Sequence, residues 1–295
     1  MRCGFASLVG RPNVGKSTLL NSLLGMKLAI TSNVSGTTRN VIQGIYNDED
    51  SQIIFVDTPG VHKPVNKLGN LMNKKAYENA HDVDVILFLI DASTGFGKGD
   101  QFILDKINDS KLPIFLLLNK IDQVKDKTKL LEEIDKVKDK YSFSEIIPIS
   151  AKKNNNINEL ISTLKKYLPE MDSIYSEDEI TNVSTRFIMA EFVREKILEL
   201  THDEIPHTVT CYVENYEENS KSIHIQVLVV VDRDNVKKII IGKNGSMLKE
   251  IGTRARHDME EFLGKKVFLE TYVKTIKDWR NQEKYFSELG LEDEE

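Results

Sequence analysis

Cysteine is scarce in this 295-residue sequence, and its two copies, Cys3 and Cys211, lie far apart in the chain. This scarcity excludes a disulfide scaffold and a thiolate metal site, and it favours a reducing compartment. The six histidines form no HxxxH or similar cluster. We therefore expect no structural metal.

Long apolar runs are absent as well. The longest, Val85–Ile90 (VILFLI), is far shorter than the roughly 20 residues of a membrane-spanning helix, and its length suits a buried strand. The opening residues, MRCGFASLVG, show no signal-peptide pattern. We therefore expect a cytoplasmic protein, and any membrane contact would be peripheral.

The chain also lacks an overall positive charge, since its formal net charge is −6. Basic residues are nevertheless concentrated between Lys237 and Arg280. This segment contains 11 Lys and Arg and 6 Asp and Glu, so its formal charge is +5 and that of the rest of the chain is −11. The acidic total argues against a nucleic-acid-binding protein. A basic segment on an acidic chain is instead a local electrostatic footprint for such a ligand.

Apolar runs alternate with helical patterns through residues 1–168. Most of the runs are continuously apolar, which is typical of strands buried on both faces of a parallel sheet. The predicted strands are Gly4–Val9, Val41–Tyr46, Gln52–Asp57, Asp84–Asp91, Leu112–Leu118 and Glu145–Ser150. The polar turn NDED between the second and third runs predicts an antiparallel hairpin at one edge. We predict an α/β domain with a doubly wound, mostly parallel sheet.

The second half of the chain predicts a smaller α+β domain. Residues 169–184 are acidic and without a period, which indicates a linker. Residues 185–280 follow the order αββααβ, beginning with an amphipathic helix and containing helices at Asn235–Ile241 and Ser246–Leu263. Residues 281–295 are predicted to form an acidic, solvated tail.

The segment GRPNVGKS, Gly10–Ser17, matches the phosphate-binding pattern GxxxxGK[ST] between a predicted strand and a predicted helix. Its glycines let backbone N–H groups converge on phosphate oxygens, while Lys16 reaches the β- and γ-phosphates and Ser17 ligates Mg²⁺. The predicted nucleotide contacts of this loop are Gly10, Arg11, Pro12, Asn13, Val14, Gly15, Lys16, Ser17 and Thr18. The loop predicts a nucleoside triphosphate but does not identify its base.

The base is predicted by NKID, Asn119–Asp122, which follows an apolar strand. The Asp122 carboxylate can accept hydrogen bonds from guanine N1–H and from the exocyclic amine, a pair that adenine does not offer. Asn119 suits the N7 edge, the Lys120 stem can lie over the ring, and the Ala151 N–H can meet guanine O6. The predicted base contacts are Asn119, Lys120, Asp122, Ser150, Ala151 and Lys152. Together these residues predict GTP.

Two further loops are predicted to surround the γ-phosphate. DTPG, Asp57–Gly60, places Asp57 to hold the Mg²⁺ shell through water and the Gly60 N–H to meet the γ-phosphate. In GTTRN, Thr38 is the predicted Mg²⁺ ligand and Thr37 the alternative, unless both are only a β-branched lead-in to a strand. The remaining predicted nucleotide contacts of DTPG and its successor are Thr58, Pro59 and Val61. Both loops are expected to order around the γ-phosphate and to relax on hydrolysis.

The boxes GRPNVGKSTLLN, GTTR and DTPG, in this order and spacing, resemble the translation-factor-related GTPases and, within them, the Era family. Val61 is apolar where Ras-type enzymes place the glutamine that orients water. The resemblance implies slow intrinsic hydrolysis, with Asn13 as a candidate K⁺ ligand near the transferred phosphate. Asn13 is alternatively a simple turn residue. The predicted catalytic residues are Lys16, Thr38, Asp57, Gly60 and Asn13.

A second glycine-rich loop lies in KKIIIGKNGSMLKEIG, where GxxG separates two predicted helices. This arrangement resembles a type II KH domain, whose GxxG loop clamps the backbone of about four single-stranded nucleotides. The predicted RNA contacts are Ile240, Ile241, Gly242, Lys243, Asn244, Gly245, Lys249 and Arg254. Lys237, Lys238 and Arg256 could also line the RNA path, or belong to a solvated helix face. A helix–turn–helix with an ordinary capping glycine is the alternative.

The Era resemblance covers nearly the whole chain. It implies a monomeric switch that uses GTP, GDP and Mg²⁺, with K⁺ as a further candidate, and that binds the 3′ end of small-subunit rRNA during small ribosomal subunit assembly. It also implies peripheral association with the inner face of the cell membrane. The residues alone predict a narrower function than the resemblance implies, namely a cytoplasmic, guanine-specific switch that binds single-stranded RNA.

Three other functions are compatible with parts of the sequence. A P-loop kinase for a small molecule is disfavoured by NKID. A K⁺-dependent tRNA-modification GTPase is disfavoured by the KH-like unit and by the lack of a cysteine near the C-terminus. The third alternative is a GTPase whose KH-like domain binds a protein partner.

Overall fold

The computed structural model describes residues 1–32, 37, 39–58, 83–107, 110–201 and 208–282. These residues divide into two compact units. The first contains the described residues up to Ala29 and from 39 to Asn182, and the second contains residues 30–32, Thr37 and the described residues from Val183 onward. Of the predicted tail, only residues 281 and 282 lie in the described part.

A six-stranded sheet forms the centre of the first unit. Its strands are β1 (Arg2–Gly10), β2 (Ile42–Asn47), β3 (Ser51–Asp57), β4 (Val85–Asp91), β5 (Ile114–Asn119) and β6 (Glu145–Pro148), in the order β2-β3-β1-β4-β5-β6. All neighbouring pairs are parallel except β2–β3, which is antiparallel. Both the mostly parallel sheet and its edge hairpin were predicted, and both are confirmed.

Helices bury both faces of this sheet. They are α1 (Lys16–Leu24), α2 (Lys98–Ile107), α3 (Lys127–Lys138) and α4 (Ile157–Lys165). Ile103 of α2 and Val137 of α3 share one core with Phe88 and Leu116 of the central strands. Every residue of β3, β4 and β5 is buried, which explains why their sequences are apolar without alternation. The carboxyl ends of the parallel strands meet at one edge, where α/β folds place their ligands.

The acidic segment after α4, predicted as a linker, belongs to the first unit as far as Asn182. Its backbone is bound along the strands: the Cys3 N–H donates to the Pro169 carbonyl (3.1 Å) and the Ile45 N–H donates to the Ile180 carbonyl (2.9 Å). The buried Gln52 Oε1 accepts hydrogen bonds from the backbone N–H groups of Ile174 and Tyr175. The segment shows no side-chain period because backbone groups, rather than an apolar face, attach it to the sheet.

The second unit has the predicted order αββααβ. Its elements are α5 (Thr185–Leu200), β7 (Val209–Glu218), β8 (Ser222–Val231), α6 (Asp234–Ile241), α7 (Ser246–Leu263) and β9 (Lys266–Thr275). The sheet order is β7-β8-β9, with β7 antiparallel and β9 parallel to β8. Helix α5 begins after Ser184, whose hydroxyl accepts a hydrogen bond from the Phe187 N–H, a favourable N-cap arrangement.

Helix α5 differs from its prediction. We expected an amphipathic helix with a single apolar face, but every residue from Ile188 to Leu198 is buried. The buried stretch includes four charged residues, Glu191, Arg194, Glu195 and Lys196. These side chains pair with one another and with neighbouring groups, which the apolar period alone does not indicate.

Among the described residues, no helix is long and apolar enough to cross a membrane.

Replacing Gln52 with leucine should lower the free energy of unfolding by about 2 kcal/mol, because the partly buried backbone N–H groups of residues 174 and 175 lose their acceptor. The change should also increase protease cleavage between residues 170 and 182. Urea denaturation and limited proteolysis measure the two effects. The matched control is Gln43→Leu, which removes the hydrogen bond from the Tyr175 hydroxyl (2.7 Å). Equal effects of the two variants would contradict the role of Gln52.

Candidate functional site

The first glycine-rich loop lies between the end of β1 at Gly10 and the start of α1 at Lys16. At Gly15 the backbone has φ 101° and ψ 27°, and a Cβ there would collide with the side-chain amide of Asn119. At Gly10 a Cβ would lie 2.6 Å from the Leu89 carbonyl oxygen. Both glycines are therefore required by close approach of neighbouring atoms, in addition to the room that they leave for phosphates.

Lys16 lies buried across this loop. Its Nζ donates to the carbonyl oxygens of Gly10 (3.0 Å) and Arg11 (3.1 Å). Burial lowers the pKa of Lys16, although the nearby charge of Asp57 acts in the opposite direction. Because the buried ammonium is poorly solvated, an incoming phosphate would compensate its charge. Lys16 is therefore placed for the phosphate-binding role that the motif predicts.

The predicted Mg²⁺ ligands of α1 and β3 lie together. The Ser17 hydroxyl donates to Asp57 Oδ2 at 2.7 Å, and Asp57 is fully buried at the end of β3. The next residue, Thr58, is fixed by a hydrogen bond from its hydroxyl to the Leu8 carbonyl (2.9 Å). A hydroxyl and a carboxylate side by side are hard oxygen ligands of the kind that Mg²⁺ prefers. Thr38, Pro59, Gly60 and Val61 lie outside the described residues.

Asn119 connects three parts of the site. Its buried side chain donates from Nδ2 to the Val14 carbonyl (2.8 Å) and accepts the Ala151 N–H at Oδ1 (3.0 Å). We predicted contacts of Asn119 with guanine N7 and of Ala151 with guanine O6. In this structure the two groups bind each other, because the loops after β5 and β6 lie close enough to pair, and their contacts with guanine stay predictions. Asn119 therefore links the phosphate loop to the base loops through hydrogen bonds.

The remaining base residues also lie near one another. Asp122 is exposed and accepts a hydrogen bond from the buried Ser150 hydroxyl (2.5 Å), while Lys152 is exposed. Lys120 has a left-handed backbone (φ 66°), and its ammonium binds the Asn13 carbonyl and Asp91 Oδ2, each at 2.7 Å. The Ser150 hydroxyl thus helps to orient the carboxylate of Asp122, which lies at the surface where a base could reach it.

Two anchoring residues of the site were missed by the motif patterns. Asp91, at the end of β4, is the partner of Lys120; burial acts to raise the pKa of Asp91, but hydrogen bonds from Lys120 and Ser93 outweigh it and lower the pKa. Asp100 of α2 is fully buried and accepts from Arg11 Nε at 2.8 Å. A charged residue ending an apolar strand is a signal for Asp91. No local pattern marks Asp100.

The other predicted residues of the loop have simpler positions. Arg11 is directed to α2 by its ion pair with Asp100. Val14 is buried, Pro12 and Thr18 are half-buried, and Asn13 is exposed with a left-handed backbone of φ 64°. Asn13 therefore contributes to the site through its backbone conformation as well as through its polar atoms.

The second glycine-rich loop joins α6 to α7. Gly242 has φ 72° and ψ 178°, and a Cβ there would lie 2.7 Å from Met247 Cβ, so glycine is required. Gly245 has φ 77° and ψ 9°, and a Cβ there would meet open space. Asn244, between them, also has positive φ (52°). The loop brings backbone N–H groups to the N-terminus of α7, where negative charge is favoured.

A groove of about 330 Å³ opens beside this loop, between α7 and β9. Its lining includes Gly245, Lys249, Gly252 and Arg256 of the loop and helix, and Leu269 and Thr271 of the strand. Lys249 was predicted as an RNA contact. Arg256, which we treated as a residue of either the RNA path or a solvated face, also lines the groove while paired with Glu260 at 3.0 Å.

Other predicted RNA contacts occupy different positions. Lys243 and Asn244 are exposed at the loop, and Ile241 is half-buried. Ile240, predicted as an RNA contact, is fully buried on the inner face of α6. Arg254 is not among the groove residues and pairs with Glu250 at 2.7 Å on the exposed side of α7.

A phosphate loop and guanine boxes at the carboxyl edge of a mostly parallel sheet, followed by an αββααβ unit with a GxxG loop, define a P-loop GTPase joined to a KH domain. Family comparison agrees with this class. A family described as 50S ribosome-binding GTPase matches residues 5–120, and the KH domain family matches residues 204–280.

Comparison with individual proteins is more specific. GTPase Era of Leuconostoc citreum (strain KM20) is 45% identical over 295 residues, covering 99% of this chain and 97% of that protein. A solved Era variant of Aquifex aeolicus bound to GDP.AlF4⁻ is 41% identical, with a TM-score of 0.95 and 99% of both chains covered. Era solved with MgGDPNP and nucleotides 1506–1542 of 16S ribosomal RNA gives the same identity, coverage and TM-score. The chain belongs to the Era family of GTPases.

Asp122→Asn should change the base preference of the site. The carboxylate becomes an amide, which sets a donor against the guanine amine but matches the C2 carbonyl of xanthine. We expect affinity for GTP to fall by about 100-fold or more, while affinity for xanthosine triphosphate rises. Titration with fluorescent nucleotides measures both. Ser150→Ala, which removes the donor to Asp122, serves as the control and should retain the preference for guanine.

Proposed function

We propose that this GTPase binds the 3′ end of small-subunit rRNA in its GTP state and acts in assembly of the small ribosomal subunit. The observation that carries the proposal is the conjunction of a guanine-nucleotide site with an open GxxG groove in one chain. The Era relative solved with MgGDPNP and 16S rRNA nucleotides supports it, since the likeness extends over the whole of both chains.

The groove beside the GxxG loop has the chemistry that a single strand of RNA requires. Gly245 leaves space at the backbone, where a phosphate can approach N–H groups. Lys243 is exposed at the loop, and Lys249 and Arg256 stand along α7. Leu269 and Thr271 of β9 supply the opposite wall, against which bases can pack. Positive charge and the open groove therefore lie on the same side of the KH domain.

The nucleotide site is proposed to bind GTP or GDP together with Mg²⁺. Ser17 and Asp57 would hold the ion, directly and through water respectively, with Thr38 completing its ligands and Thr37 as the alternative. When bound, Mg²⁺ supplies positive charge to the phosphates. Lys16 provides the protein's own charge to the same phosphates. Hydrolysis is proposed to be slow, because apolar Val61 offers no group to orient water.

K⁺ is proposed as an additional activating ion, with the Asn13 side chain as a ligand. Asn13 is exposed in the phosphate loop, and its left-handed backbone is fixed by the bond from Lys120 to its carbonyl. Within the same proposal the chain acts as a monomer in the cytoplasm, and its membrane contact is peripheral.

Gly245→Asp should weaken RNA binding without changing the fold. The carboxylate would stand where a phosphate approaches, and affinity for an oligonucleotide of the small-subunit rRNA 3′ end should fall by about 10-fold or more. Gly245→Asn is the matched control, since asparagine has the same shape and tolerates the left-handed backbone. It should reduce affinity only slightly.

The binding assay uses a labelled oligonucleotide and a scrambled one, each with GDP and with a non-hydrolysable GTP analogue. We expect the wild-type protein to bind the matching oligonucleotide more tightly with the GTP analogue. Equal, weak binding of both oligonucleotides in every state would overturn the proposal and leave a protein partner as the ligand of the KH domain. Equal losses in the two Gly245 variants would show that backbone strain, and not charge, is responsible.

GTP hydrolysis should be several-fold faster in KCl than in NaCl at the same ionic strength. The variant Asn13→Gly keeps the positive φ of the loop but removes the side-chain amide. It should eliminate the difference between the two salts. Phosphate release at saturating GTP gives both rates. Equal rates of the wild-type protein in KCl and NaCl would reject the K⁺ site and leave Asn13 as a turn residue.

A further inference from the structure

The side chain of Arg11 extends from the phosphate loop into a seat formed by the segment between β4 and α2. Arg11 Nε donates to Asp100 Oδ1 at 2.8 Å, and Arg11 Nη2 lies 3.5 Å from the Gly95 carbonyl oxygen. A Cβ on Gly99 would lie 2.7 Å from Arg11 Cδ, so the arginine stem occupies the space that this glycine leaves. A carboxylate, a carbonyl and a missing side chain therefore fit one arginine. Gly95, Gly99 and Asp100 are called the arginine seat below.

The arginine seat is itself attached to the core of the first unit. Asp100 is fully buried, and its Oδ2 accepts the Gly97 N–H at 2.9 Å. Gly95 has φ 75°, and a Cβ there would lie 2.9 Å from Glu133 Oε1 of α3. The same carboxylate oxygen accepts the Phe96 N–H at 2.6 Å, and the Phe96 ring packs against the main core. The seat therefore has a defined position relative to the sheet.

The ion pair in the seat joins a buried carboxylate to a cation that is partly exposed. The Asp100 side chain is 0% exposed and that of Arg11 is 32% exposed. A buried carboxylate that loses its cation is left as an uncompensated charge, which is strongly unfavourable. The pair therefore holds the arginine firmly, and with it the residue of the phosphate loop that carries it.

The backbone of the same arginine contacts the lysine of the phosphate loop. Lys16 Nζ donates to the carbonyl oxygens of Gly10 (3.0 Å) and Arg11 (3.1 Å). The N–H groups that the GxxxxGK[ST] pattern directs toward phosphate belong to the residues that follow Arg11. One residue thus binds the seat through its side chain and Lys16 through its carbonyl.

We propose that Asp100 is a positioning residue for the phosphate loop, which acts through Arg11 to fix the peptide that holds Lys16 and thereby increases affinity for the β-phosphate of GDP and GTP. Asp100 is fully buried, so its effect on the nucleotide is transmitted by Arg11. This inference rests on the proposed binding of nucleotide phosphates by the loop Gly10–Ser17. It does not involve RNA.

The test compares GDP with GMP, because these ligands share the base and differ by the β-phosphate. Asp100→Asn sets an amide donor against either Arg11 Nε or the Gly97 N–H, so the seat can no longer hold both. Affinity for GDP should fall by about 10-fold, while affinity for GMP should stay within about twofold of the wild-type value. Competition against a fluorescent GDP analogue, with Mg²⁺ present, measures both.

Arg11→Ala should reproduce the effect of Asp100→Asn. The double variant should lose no more GDP affinity than either single variant, since both changes remove the same contact. If Asp100→Asn does not fold, Arg11→Ala carries the test, because the arginine side chain is partly exposed and its removal creates no buried cavity of comparable size.

Gly99→Ala separates positioning of the loop from stability of the fold. Its Cβ would displace the Arg11 stem, but alanine is a better helix former than glycine, and Gly99 lies in the first turn of α2. We expect the ratio of GDP affinity to GMP affinity to fall severalfold, while the free energy of unfolding in urea stays at or above its wild-type value. In the Arg11→Ala background, Gly99→Ala should leave the ratio unchanged, because no stem remains to be displaced.

Asp48→Asn is the matched control, since it makes the same chemical change in another ion pair of the first unit. Asp48 binds Lys165 Nζ at 2.6 Å and accepts the Ser51 N–H at 2.9 Å. Ser51 pairs with Arg2 at the start of β1, whereas the phosphate loop follows the end of β1. This variant should lower the free energy of unfolding but leave the affinities for GDP and GMP unchanged.

The possible outcomes separate the inference from the proposed nucleotide site. A wild-type GDP to GMP ratio in both Asp100→Asn and Arg11→Ala, or an equal fall in Asp48→Asn, overturns the inference alone. An equal loss of GDP and GMP affinity also overturns it, because the effect would then not concern the β-phosphate. A higher ratio in Asp100→Asn would show that the seat keeps the arginine away from phosphate, contrary to the inference. A wild-type protein that binds GDP no more tightly than GMP overturns the proposed phosphate site itself.

Discussion

The nucleotide site depends on one buried amide, the side chain of Asn119. It joins the phosphate loop at Val14 to the last base loop at Ala151, and the absence of a Cβ at Gly15 gives it room. Three segments that lie far apart in the sequence are therefore held in fixed positions relative to one another. Because Asn119 ends a fully buried strand, the sheet itself fixes the amide, and the loops take their positions from it. The sheet therefore sets the positions of the phosphate loop and of the last base loop through this one side chain.

Charged pairs reinforce this arrangement around the phosphate loop. Lys120 links the loop at Asn13 to Asp91, and Arg11 links it to Asp100. Both carboxylates belong to elements that pack in the main core. Since buried pairs lose much of their value when one partner is removed, each pair makes the loop conformation dependent on the core beneath it. The loop thereby presents Lys16 and its backbone N–H groups in fixed positions.

Much of the fold follows from the sequence because burial on both faces leaves an apolar signature that cannot be mistaken for an amphipathic surface strand. The strands β3, β4 and β5 were predicted for this reason, whereas the edge hairpin was predicted from the polar turn NDED between its two strands. Helix α5 was predicted incompletely, since an apolar period does not reveal that Arg194 and Glu195 are buried as well. The attachment of residues 169–182 to the sheet could not be predicted either, because backbone hydrogen bonds leave no pattern in the side chains. In the site, the sequence motifs located the loops. The contact between Asn119 and Ala151 could not be predicted, because it joins two loops that only the folded sheet brings together.

The two glycine-rich loops are both predicted to bind phosphate groups, but they place different demands on their glycines. Gly15 and Gly242 are required by the protein itself, since a Cβ would strike Asn119 in one case and Met247 in the other. Gly245 has open space around it, so the protein does not fill the position that its left-handed backbone creates. Space left unused by the fold, beside lysines and a helix N-terminus, is available to a ligand. Gly242 therefore maintains the shape of the KH loop, and Gly245 marks where the RNA backbone is expected to lie.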